Sequence, residues 1–90
     1  MMTFLDVLNL AMAGDSKRHY SKRLDVSRPS VTSWFTRGII PEDDVLVKIA
    51  DEANLPRKLV VLAAYAERSK NPIVQSILRD EYGNLAASTH

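Results

Sequence analysis

The sequence predicts an all-α fold, a compact five- to six-helix domain, and three observations carry that reading. Apolar residues recur at the three- and four-residue spacing of a helix through most of the chain. Capping residues, glycines and prolines divide the chain into segments of helix length, and no stretch shows the sustained apolar and polar alternation of a strand. With 90 residues, 46% of them hydrophobic, the chain suffices for one modest core.

The first helix begins at Thr3, whose hydroxyl can cap it, with Asp6 three residues on in a capping-box position, and stops near Gly14. Phe4, Leu5, Leu8 and Met12 are its expected buried stripe. The second, roughly residues 16–24, places Tyr20 and Leu24 on one face and its basic residues largely elsewhere. Only Asp25 and Val26 then precede Ser27, so the chain turns sharply, with Asp25 a tolerable occupant of a left-handed conformation. Ser27 caps the third helix, Pro29 lies in its first turn where the missing N–H costs nothing, and Gly38 ends it.

Pro41 is expected in the first turn of a fourth helix, where Glu42, Asp43 and Asp44 complement the positive end of the helix dipole. Val45, Leu46, Ile49 and Ala53 supply its core stripe. The stretch NLPRK then punctuates the chain before a fifth helix, RKLVVLAAYAERS, apolar nearly all round. Asn71 and Pro72 cap and open a sixth, which Gly83 is expected to terminate, leaving residues 84–90 as a mobile tail. Within one compact domain this gives a core region, residues 1–55, followed by carboxyl-terminal helices over residues 56–83.

Several function classes find little support. Without cysteine there is neither a disulfide framework nor a thiolate nucleophile or metal ligand, which fits a reducing compartment and makes the cytoplasm the expected location. The start has no basic region ahead of its short apolar run and carries Asp6 inside it, unlike a secretory signal. The longest apolar run, Leu59 to Ala66, falls far short of the roughly 18 residues that cross a bilayer, so no membrane association is expected. His19 and His90 are the only histidines, which leaves no basis for a histidine metal cluster or a catalytic triad, and no Gly-rich phosphate loop occurs. No enzyme activity, metal or cofactor is expected.

The charge is informative. Between Gly14 and Gly38 stand Lys17, Arg18, Lys22, Arg23, Arg28 and Arg37 against only Asp15 and Asp25, while every other acidic residue lies outside. The net charge of +1 therefore conceals a basic middle, an electrostatic footprint suited to a polyanion. On the third helix Val31, Trp34 and Phe35 fall in one apolar arc, and Pro29, Thr32, Ser33 and Thr36 in the opposite one. An exposed face of small hydrogen-bonding groups flanked by arginines can approach another surface closely, as a helix in a DNA major groove must.

The stretch SKRHYSKRLDVSRPSVTSWFTRGIIP resembles the helix-turn-helix of lambda-repressor-like (Cro-type) DNA-binding domains, found among phage repressors and bacterial transcription regulators. The likeness rests on Leu24 and Val26 around the turn, Ser27 opening the third helix, Val31 and Trp34 in its core, and the Gly38 to Pro41 exit; it covers Thr3 to about Leu55. It implies that the second and third helices form the helix-turn-helix. It implies also that Arg28, Pro29, Thr32 and Ser33 face bases, and that Lys17, Ser30 and Arg37, with Arg18 and Thr36 beside them, meet phosphates. Three positions depart from the family pattern: Asp25 stands where Gly is usual, Lys17 where Gln is frequent, and Pro29 where a long polar side chain often reads a base. Arg28 is left as the foremost direct reader.

The fifth and sixth helices hold more apolar surface than one small core is expected to need, which points to a homodimer seam involving Val60, Leu62, Tyr65, Ile73, Ile77 and Leu78, with Tyr82 also a candidate. The expected function is a sequence-specific regulator of transcription that binds double-stranded DNA, a phage or prophage repressor on a palindromic operator. Its control would rest on concentration, operator competition, or an antirepressor or other protein partner. An antitoxin-type autoregulator and a helical protein-interaction module that does not bind DNA stay open as alternatives.

Overall fold

The computed structural model describes residues 3–88, with side chains through residue 84; His90 lies outside the described residues. Six helices follow one another: α1 (Phe4–Met12), α2 (Lys17–Leu24), α3 (Arg28–Thr36), α4 (Asp43–Glu52), α5 (Arg57–Arg68) and α6 (Pro72–Ser88). No strand occurs among the described residues.

Local chemistry sets most of the boundaries. Thr3 and Asp6 form a full capping box, the Asp6 amide donating to Thr3 Oγ1 at 3.2 Å and the Thr3 amide to Asp6 Oδ2 at 2.8 Å. Ser16 caps α2 by accepting from the His19 amide, and Ser27 caps α3 by accepting from the Ser30 amide. Asp25 adopts the left-handed conformation expected of it, with φ +56°, and closes α2. Asn71 Oδ1 accepts from the amides of Ile73 and Val74 and starts α6.

The core is shared by all six helices. Phe4, Val7 and Leu8 of α1 meet Tyr20 and Leu24 of α2, Val31 and Trp34 of α3, Leu46 and Ile49 of α4, Leu59 and Val60 of α5, and Tyr82 of α6. The radius of gyration, 12.5 Å, equals what a single compact body of this length should have, about 12 Å. α5 lies against α1, α4 and α6. That position explains its nearly continuous apolar sequence, since a helix covered on several sides must be apolar on all of them.

Five expectations require correction. Leu5 is 43% exposed, and Val7 and Ala11 take its place in the α1 stripe, because the buried arc is centred one residue further round. Pro41 is buried ahead of the N-cap residue Glu42 rather than inside the first turn of α4, and its carbonyl accepts from Arg68 of α5. Val60 and Tyr82 are core residues, at 0% and 1% exposure, and cannot meet a second chain without unfolding. Helix α6 passes through Gly83 and reaches Ser88, taking in most of the expected tail. Glycine permits a left-handed stop but does not impose one; Gly83 keeps a negative φ, and the helix continues beyond the buried Tyr82.

Candidate nucleic-acid interface

The α2–α3 pair is built by a short turn. Asp25 reverses the chain, its amide bonding to the Lys22 carbonyl, and the Val26 amide bonds to the Ser21 carbonyl at 3.0 Å. Ser21 is buried and donates its hydroxyl to the Arg18 carbonyl at 2.7 Å, so that its donor is not orphaned. Tyr20, Leu24, Val31 and Trp34 anchor the two helices to the core. The opposite sides of both helices are thereby left to solvent.

Of the residues expected to read bases, Arg28 and Pro29 are exposed, and Thr32 and Ser33 are half-buried. Of those expected at phosphates, Lys17, Arg18, Ser30, Thr36 and Arg37 are all exposed. Lys17 Nζ stands 5.5 Å from the centre of the Phe35 ring, which places the amine of α2's first residue beside the last turn of α3. Arg28 opens α3 and Arg37 caps its end, so cations bracket its exposed face at both ends.

The basic window divides into two kinds of residue. Lys17, Arg18, Lys22, Arg28 and Arg37 form no ion pair among the described residues. Arg23 is different: it contacts Asp15 and Glu52 and donates to the carbonyls of Ala11 and Met12. The carboxylates hold its pKa above the ordinary arginine value although burial works against its charge. Asp15 is held below the ordinary carboxylate value, burial being outweighed by the Ser16 amide and by Arg23 and His19. His19 itself is turned to Asp15, its Nδ1 lying 3.1 Å from Oδ1. Lys22, by contrast, joins the free cations, a residue the sequence marked only by its charge.

The hydroxyls of the α3 face have partners of their own. Ser33 Oγ donates to the Pro29 carbonyl at 2.9 Å, Thr36 Oγ1 donates to the Thr32 carbonyl at 2.8 Å, and Ser30 Oγ lies 2.7 Å from Ser27 Oγ. Their spacing in the sequence did not disclose this, because i to i−4 bonding of Ser and Thr depends on the rotamer chosen.

On α6, Ile73 and Ile77 are 72% and 58% exposed, and Val74 is exposed beside them. Ile73 and Ile77 are turned away from Tyr82, which packs inward, while Val74 lies one turn before the half-buried Leu78. Leu62 and Leu78 are half-buried, and Tyr65 is exposed with its hydroxyl donating to Asp43 Oδ1 at 3.0 Å. The expected seam thus loses Val60, while Val74 extends its exposed part.

One surface cleft, between α1 and α3, is lined by Phe4, Leu5, Trp34, Phe35, Ile40 and Glu67, another by Arg57, Lys58, Val61, Leu62 and Glu81, and a third by Arg23, Asp25, Lys48, Asp51 and Glu52. Among the described residues no three His, Asp or Glu side chains are grouped to hold a metal ion, and no helix is long and apolar enough to cross a membrane. No family model matches the chain, and neither characterised proteins nor solved structures include a significant match.

Proposed function

We propose that the protein is a sequence-specific regulator of transcription that binds double-stranded DNA with α2 and α3 as a helix-turn-helix, a repressor of phage or prophage type acting as a homodimer in the cytoplasm. The observation that carries this reading is the α3 face. Its residues are exposed or half-buried, none of them is bulky, and Arg28, Arg37 and Lys17, cations without acidic partners among the described residues, bracket it. An α-helix fits the major groove, where arginine reads guanine and small side chains allow close approach, while flanking cations neutralise phosphates.

The apolar strip of Ile73, Val74 and Ile77 supports the dimer, since one recognition helix reads too few base pairs to find a site among the roughly 10⁶ or more competitors in a genome. The same strip is what favours the second reading, a helical interaction module. Selection of bound sites from random duplex DNA tests the two: the regulator reading expects a two-fold symmetric motif. Failure to enrich any sequence, with the protein shown to be a folded dimer, would overturn it in favour of the interaction module.

A further inference from the structure

We infer that the amino-terminal end of the α3 face selects A·T pairs by touching the thymine methyl group, with Pro29 as the reader. The inference rests on the DNA-binding reading and goes beyond it to the kind of base pair preferred. At about 100° per residue, the positions opposite the buried Val31 and Trp34 are Pro29 and Thr36, with Thr32 and Ser33 on either side. Pro29 is exposed on the midline of this face, in the first turn of α3, and its side chain has neither donor nor acceptor.

Two hydroxyls of this face have their donors engaged. A hydroxyl has one proton to give. Ser33 gives its proton to the Pro29 carbonyl and Thr36 gives its own to the Thr32 carbonyl, so both present lone pairs to an approaching surface. Lone pairs do not bond the N7 and O6 acceptors of guanine; they suit the N6 amino group of adenine or the N4 amino group of cytosine. Thymine alone among the bases carries an apolar group in the major groove. A carbon surface at Pro29 with the Ser33 acceptor one turn further on therefore suits an A·T pair, its methyl against Pro29 and the adenine amino group toward the Ser33 hydroxyl. Arg28, at the edge of the face, is the one long donor and is left to read guanine.

The experiment uses the full chain and the sites it enriches from random duplex DNA. Each thymine of the enriched site is replaced in turn by deoxyuridine, which removes the methyl group and leaves pairing unchanged. At one or two positions per half-site the wild-type protein should bind about fourfold more weakly, the worth of a single methyl group kept from water. In Pro29→Ser, with the fold checked by circular dichroism, that penalty should disappear. An enriched site whose thymines can all be replaced without loss, or a penalty that persists in Pro29→Ser, overturns the inference and leaves the regulator reading standing. Failure to enrich any site overturns both.

Discussion

Arg23 Nη2 donates to Glu52 Oε2 at 2.9 Å, fastening α2 to the end of α4, and the same guanidinium reaches the carbonyls of Ala11 and Met12 where α1 ends. One of the six cations in the basic window is therefore committed to the fold. Arg23→Ala should lower the melting temperature more than Lys22→Ala, because it removes the ion pairs to Asp15 and Glu52 and two bonds to carbonyls at the end of α1. It should leave the salt dependence of DNA binding unchanged. Lys17→Ala should do the reverse, lowering the slope of log affinity against log salt by about one per chain with little effect on melting. Equal slopes for Lys17→Ala and wild type would remove Lys17 from the interface.

Arg28 stands at the first residue of α3 without an ion pair among the described residues, free to meet a base edge. Arg28→Ala should cost about 1–3 kcal/mol at the selected site and relax preference at one base pair per half-site. Binding curves on cognate and random duplexes decide the matter. A uniform loss on both would make Arg28 a phosphate contact.

Trp34 is 6% exposed and packs in the common core. Trp34→Ala should destabilise by about 3–5 kcal/mol, most of what a small domain has in hand. Trp34→Phe should stay folded. Thermal denaturation followed by circular dichroism measures both, and an unaltered melting temperature for Trp34→Ala would place the indole on the surface.

The Tyr20 hydroxyl is buried with no hydrogen-bond partner among the described residues. Burial, with the charge of Glu52 second, pushes its pKa up to about 12. Tyr20→Phe should therefore raise stability by about 1 kcal/mol at neutral pH, as the desolvated group is removed. The gap between variant and wild type should widen above pH 10. There the unfolded tyrosine has lost its proton while the folded one keeps it to about 12, so the unfolded state binds fewer protons and wild-type stability falls as pH rises. Denaturant titrations at pH 7 and pH 11 check both claims; a Tyr20→Phe protein less stable than wild type at pH 7 would contradict the first.

The helix count and most helix ends were legible in the sequence because they depend on local chemistry: Thr3 with Asp6, Ser16, Ser27 and Asn71 each cap from within three residues. What depends on tertiary placement was not. Val60 and Ile77 are both aliphatic residues on apolar helices, yet one is central and the other faces solvent, and only the position of α5 against three neighbours separates them. Arg23 and Lys22 are adjacent and alike in charge, but only Arg23 points toward carboxylates contributed by α4 and by the turn before α2. Gly83 offered a helix stop that the backbone did not take.

The exposed position of Ile77 sharpens the test of the dimer. Being 58% exposed in the single chain, it contributes little to the core, so Ile77→Asp should leave the fold and its circular dichroism unchanged. At a seam between two copies the same change would place an uncompensated charge in an apolar contact, which is strongly unfavourable. Ile77→Asp should therefore sediment as a monomer at micromolar concentration where the wild type sediments as a dimer. A two-fold axis near α6 should hold two α3 helices about 34 Å apart, or a multiple, matching half-sites on one face of the duplex. Losing that pairing should leave weak, salt-sensitive binding with little discrimination between operator and random DNA. A wild-type protein that sediments as a monomer and still recognises one half-site with full specificity would return Ile73 and Ile77 to the ordinary apolar surface of a small domain.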